Sequence, residues 1–252
     1  MDLVSTALLM TAGLASGLAG SIGGLASLFS YPALLAFGLP PVVANVTNTV
    51  AMFSTTVGTA AGSRPELRGH GRRVAKLVVV AAIGGSAGAW LLLATPDKAF
   101  EVAAPWLIAF GSALLLARDP LRRLADARAA RMASSASFLP LAVAVALVGV
   151  YGGYFGAASG VIMLAVLCAA ATEPLAVTNA VKNMATGAAN ITAAVAYAFL
   201  APVHWLAAGA LSCGCLVGSW LGPKIVRRLP ERPLRFAIAL AGLGLAASLW
   251  VT

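Results

Sequence analysis

Long apolar runs, broken by glycine, proline and short charged clusters, fill the chain from end to end. Ten can be delimited, at 3–20, 22–37, 42–61, 76–94, 102–117, 138–155, 157–171, 175–200, 204–221 and 234–251. Crossing a bilayer takes about 20 consecutive apolar residues, so a series of such runs predicts membrane helices. Several fall short of that length. The second and seventh are among the shortest, and each follows a glycine cluster. Both are candidates to enter the membrane as re-entrant segments without crossing it. The expected fold class is an all-α polytopic integral membrane protein of about 8–10 helical segments, some of them glycine-broken.

The pattern repeats within the chain. Gly17-Leu-Ala-Gly20-Ser-Ile-Gly23-Gly24 recurs as Gly153-Tyr-Phe-Gly156-Ala-Ala-Ser159-Gly160. Thr47-Asn48 recurs as Thr178-Asn179, and Gly84-Gly-Ser-Ala-Gly88-Ala-Trp90 as Gly214-Cys-Leu-Val-Gly218-Ser-Trp220. Pro96-Asp97-Lys98 recurs as Pro230-Glu231-Arg232. The order is kept and the offset stays between 130 and 136, so an internal duplication is expected. It divides the chain into a first repeat with its basic loop at 1–131 and a second repeat at 132–252.

Charge orients the two repeats. Fifteen of the 17 Lys and Arg residues fall in three short loops, 63–76, 118–131 and 222–235, five in each. Basic loops beside membrane helices mark the cytoplasmic face. The first repeat carries its charge at 63–76 and is nearly neutral around Pro96. In the second, the counterpart of the basic loop is Ala201-Pro-Val-His204, and the counterpart of the neutral loop is the basic 222–235. The bias has changed loops, so the repeats are expected to be inverted, with both termini outside and the 118–131 loop in the cytoplasm. Inverted repeats are common among secondary transporters, with the binding site at the repeat interface near the midplane.

Composition agrees with a membrane class. The chain of 252 residues is 60% hydrophobic and 10% charged, against about 25% charged in a soluble domain. The net charge of +9 follows from the positive-inside loops. It implies contact with membrane lipids and no nucleic-acid partner. Met1-Asp2 is acidic where a signal peptide would be basic, so the first run reads as a helix. The odd set Cys168, Cys213 and Cys215, all in apolar runs, gives no disulfide framework or metal spacing.

Lys182 breaks the pattern. It sits in mid-segment at 177–192, with no carboxylate at comparable depth. A charge at bilayer depth costs about 2.5–3.5 kcal/mol on insertion scales, and it usually faces a cavity or a partner. A mobile anion could be that partner. On a helix Asn179, Lys182 and Asn183 share one face, as do Asn45, Asn48 and Thr49. Together with Thr178 they supply one positive charge and several converging donors, which is what an oxyanion requires. Asn190 and Thr186 read instead as interhelical hydrogen-bonding residues.

The glycine breaks are the second part of the expected site. There the backbone can unwind and approach a ligand, and a half-helix starting at the break turns free N–H groups toward an anion. Ser21, Gly23 and Gly24 in the first repeat, and Ser159 and Gly160 in the second, are the candidates. The alternative is close helix packing through small residues. All eight acidic residues lie in loops or at segment ends, which argues against a cation substrate. His204 begins a segment and reads as interfacial. No metal cluster, Walker loop or nucleophile arrangement appears, so neither a cofactor nor an enzymatic activity is expected.

The glycine-rich N-terminal helix pair, then Tyr31-Pro32-Ala-Leu-Leu35 and Ala44-Asn-Val-Thr-Asn-Thr49, resembles the TauE/SafE sulfite exporter family. Ala180-Val-Lys-Asn183, Asn190 and Val203-His-Trp205 resemble its second repeat. The likeness covers nearly the whole chain in order. It implies a bacterial inner-membrane transporter of small sulfur-containing anions: sulfite, thiosulfate, or organosulfonates such as sulfoacetate. It leaves the direction of transport open, and leaves room for a homo-oligomer. A passive anion channel could use the same residues, and a membrane assembly factor would carry no flux.

Overall fold

The computed structural model describes residues 3–62, 64–117, 119–121, 123–124, 127, 138–170 and 174–225. The tenth expected segment, 234–251, and more than half of each of the 118–131 and 222–235 loops lie outside these residues. Ten helices are delimited among the described residues. In chain order they are α1 (Leu3–Gly23), α2 (Ser27–Ala36), α3 (Pro41–Gly62), α4 (Arg64–Leu67) and α5 (Gly71–Ala94). There follow α6 (Asp97–Leu116), α7 (Phe138–Tyr154), α8 (Ser159–Ala170), α9 (Leu175–Leu200) and α10 (Trp205–Ile225).

Length sets α2 and α8 apart from the long helices. Helices α1, α3, α5, α6, α9 and α10 have 20 to 26 residues, enough for a hydrocarbon core of about 30 Å. Helices α2 and α8 have 10 and 12 residues; at about 1.5 Å per residue they reach only about half-way across. Each follows a glycine break, as the sequence pattern predicts.

Small residues decide which helices meet. Gly13 and Gly17 of α1 lie against Leu211, Cys215 and Ser219 of α10, so closely that a Cβ on either glycine would strike α10 backbone. Gly214 and Gly218 of α10 return the contact on Met10, Leu14 and Leu18. In the other half, Gly84 and Gly88 of α5 lie against Ala146, Val150 and Tyr154 of α7, and Gly149 and Gly153 of α7 against Ala81, Gly84 and Gly85. Glycines four apart give a helix a flat face on which a neighbour's backbone can rest, the usual basis of close packing in membranes. The two interfaces match residue for residue: α1 positions return in α7 at an offset of 136, and α5 positions in α10 at 130. Each repeat thus sets its first helix against a late helix of the other repeat.

Both interfaces advance in the same direction along their two helices, so α1 runs parallel to α10 and α5 to α7. Helices α3 and α10 are also parallel: Ser212 Oγ lies 3.4 Å from the Ala51 carbonyl oxygen, and Gly58 packs on Ser219 one to two turns later. Outward faces carry large apolar side chains such as Leu8, Ile83, Trp90, Trp106, Leu147, Phe199 and Trp220. An exposed apolar belt of this extent suits contact with lipid rather than water.

Candidate functional site

The backbone breaks between α1 and α2 and between α7 and α8 rest on each other. Gly24, at φ +71°, and Gly160 touch main chain to main chain, and a Cβ on either would collide with the Cα of the other. Gly156, at φ +80°, turns the second break; a left-handed backbone of this kind is tolerated by glycine at little cost. Nearby, α3 crosses α9 at Thr56 and Gly187, where the Thr56 side chain fills the room left by the missing Cβ.

All four of these crossing residues line one cavity of about 480 Å³, a volume that includes its open mouth. Its wall is made largely of residues that the duplication equates. Gly20 faces it with Gly156, and Gly24 with Gly160, at an offset of 136. From α3 and α9 come Met52 with Asn183 and Thr55 with Thr186, at an offset of 131. One turn further, Thr56 and Gly187, then Thr59 and Asn190, keep the same offset.

Helix α2 begins at Ser27 and α8 at Ser159, and both residues lie on the wall. Two half-helices thus start at one cavity, each with the positive end of its dipole and its first amides there. No Asp, Glu, Lys, Arg or His is among the lining residues described. The arrangement offers neutral donors and dipoles, the surroundings in which a dehydrated anion can be held.

The matching family model is the sulfite exporter TauE/SafE, over residues 8–249. The chain belongs to the TauE/SafE sulfite exporter family. It is a membrane transporter of the sulfur-anion type, and members of this family are transporters rather than enzymes. No curated protein and no solved structure gives a significant match.

Within this TauE/SafE fold the twelve residues singled out in the sequence divide into groups. Gly24, Ser159, Gly160 and Asn183 line the cavity, and Gly23 ends α1 next to Gly24. Lys182 is fully buried on α9, directly before Asn183, and is not among the lining residues. Ser21, Thr49 and Thr178 donate their hydroxyls to carbonyls one turn back, those of Leu18 (3.0 Å), Asn45 (3.0 Å) and Pro174 (3.3 Å). Asn45 Nδ2 donates to the Tyr154 carbonyl at 2.8 Å, and the Tyr197 hydroxyl donates to that of Gly153. Those two bonds satisfy carbonyls that the end of α7 leaves open, so one N–H of the Asn45 carboxamide is spent on the break itself.

Asn48 and Asn179, equivalent at an offset of 131, lie one turn before the lining residues Met52 and Asn183. Each has a buried carboxamide oxygen with no hydrogen-bond partner among the described residues. Asn190 lines the cavity in place of bridging helices. The residues that sequence reasoning missed are Ser27, Thr55, Thr56 and Thr59. The signal was present: carrying the Asn48/Asn179 equivalence two turns further pairs Thr55, Thr56 and Thr59 with Thr186, Gly187 and Asn190.

Proposed function

We propose that this chain is a secondary transporter of small sulfur-containing anions, with the cavity as its substrate site at the interface of two inverted repeats. Sulfite, thiosulfate and organosulfonates such as sulfoacetate are the substrate class. The observation that carries the reading is the cavity itself. It lies where two glycine breaks meet, receives two half-helix starts, and is walled by residues equivalent in the two repeats. A site on such an interface is the general plan of transporters that open alternately to either side. The family likeness favours the inner membrane, and the basic loops favour both termini outside.

Lys182 supplies positive charge from behind the wall. It is buried beside Asn183, and in surroundings of low polarity a charge acts strongly over one helical turn. Asn45 ties α3 to the second break through the Tyr154 carbonyl, and Asn179, Thr178, Asn48, Thr49 and Ser21 are polar positions on the helices that build the wall. The glycines Gly24 and Gly160 let the two backbones meet.

The test is a thermal-shift screen of the purified protein against sulfite, sulfate, thiosulfate, taurine and sulfoacetate, followed by flux into liposomes. A bound ligand raises apparent stability by RT ln(1 + [L]/Kd). The expected result is stabilisation by at least one sulfur anion and uphill flux under an ion gradient. Flux that only runs downhill would make the protein a channel; no stabilisation and no flux would overturn the reading.

A further inference from the structure

The cavity's eight polar side chains fall into two classes, according to where their hydrogen-bond donors point. Thr55, Thr59 and Thr186 spend their hydroxyl protons inside their own helices. Thr55 donates to the Met52 carbonyl at 2.7 Å, Thr59 to that of Thr55 at 2.8 Å, and Thr186 to that of Lys182 at 2.8 Å. Such back-bonding leaves a hydroxyl oxygen with lone pairs and no proton to offer. The side chains of Ser27, Thr56, Ser159, Asn183 and Asn190 have no hydrogen-bonded partner among the described residues, and all five residues line the cavity. Asn183 and Ser159 are more than nine-tenths buried, at 8% and 9% exposure. Their donors have little to meet except what enters the cavity.

Resting on the transport reading above, we infer that these five side chains are the substrate donors, and that the three back-bonded threonines contribute shape alone. The bound group is a compact oxyanion such as a sulfite or sulfonate head, whose oxygens accept several bonds from neutral donors at once. The set is unequal between the repeats. Asn183 and Asn190 on α9 stand where α3 has Met52 and Thr59, so the second repeat carries both carboxamides. Thr56 has the central place on α3: its side chain packs on Gly187 at the crossing, which fixes the rotor of a hydroxyl that could otherwise turn away. Asymmetry in an otherwise paired wall gives the substrate one preferred orientation.

Threonine to valine is close to isosteric, so it separates a lost donor from a lost shape. Removing a donor to a charged group costs a factor of about ten or more in affinity. Binding of sodium sulfite, sodium thiosulfate and sodium sulfoacetate to purified protein would be measured by calorimetry and thermal shift. Thr56→Val, Ser159→Ala and Asn183→Leu should each weaken the best of these ligands about tenfold or more. Thr56→Ser, which keeps the hydroxyl, should stay within about threefold of wild type. Thr55→Val and Thr59→Val should also stay within about threefold. Equal losses in Thr55→Val and Thr56→Val, with wild type still binding, would overturn the donor assignment and leave the transport reading standing. Failure of wild type to bind any of the three anions would overturn both.

Discussion

At the scale of single residues, the contact between Gly24 and Gly160 is the tightest constraint on the site. Neither position has room for a methyl group, because the obstacle is backbone and cannot swing aside. Overpacking of this kind costs about 1–3 kcal/mol, and at Gly24 the positive φ adds about 1–2 kcal/mol for any L side chain. Gly24→Ala and Gly160→Ala should both lower the thermal midpoint and the flux, Gly24→Ala the more. Gly209 is the control. A Cβ there meets nothing within 4 Å, so Gly209→Ala in the second turn of α10 should leave flux intact and gain up to about 0.5–1 kcal/mol of helix stability. Substitution of Lys182 tests the charge. Lys182→Met should abolish saturable anion flux and Lys182→Arg retain part of it, because charge persists while geometry changes. A folded Lys182→Met protein transporting at the wild-type rate would remove the lysine from the mechanism.

At the scale of helices, the glycine faces of α1 and α10 and of α5 and α7 are equivalent. Gly17 meets Cys215 and Ser219 as its counterpart Gly153 meets Gly85. Gly17→Val and Gly153→Val should therefore destabilise the fold by similar amounts, about 1–3 kcal/mol each, read as thermal midpoints of the detergent-purified protein. A large loss at one and none at the other would show that the two interfaces are unlike in energy. This equivalence was legible early, because glycine spacing survives in sequence as GxxxG and fixes close contact by geometry alone. The short helices α2 and α8 were legible too, from run lengths and the glycines before them. The composition of the wall was less so. Thr49 and Thr56 look alike as letters, yet the first spends its proton on Asn45 while the second lines the cavity with no such bond. Which way a hydroxyl points depends on rotamer and neighbours, and neither is written in a hydropathy pattern. Lys182 stands next to the lining residue Asn183 but is not itself on the wall, and rarity in a sequence says nothing about which side of a wall a side chain occupies.

At the scale of the whole molecule, helix directions and charge speak to the same topology. The basic 63–76 stretch runs from the end of α3 through α4 into the first turns of α5. Because α5 and α7 run parallel, α7 starts at that same end, and Lys76 Nζ indeed lies 5.4 Å from the centre of the Phe138 ring at the first residue of α7. Because α3 and α10 run parallel, α10 also finishes there. The three basic clusters thus lead from or into one end of the bundle. The opposite end holds the His204 turn, whose backbone N–H donates to Thr47 Oγ1 at 3.0 Å near the start of α3, and whose ring stacks edge-on against Phe37. In a background lacking Cys168, Cys213 and Cys215, single cysteines at Arg68 and Arg228 should react with a membrane-impermeant thiol reagent only from the cytoplasmic side. A cysteine at Pro202 should react only from outside. Labelling of Arg68→Cys and Arg228→Cys from opposite faces would mean that the second repeat is not inverted. The paired wall of the cavity would then have to arise from a parallel duplication, in which equivalent residues could not approach the midplane from opposite sides.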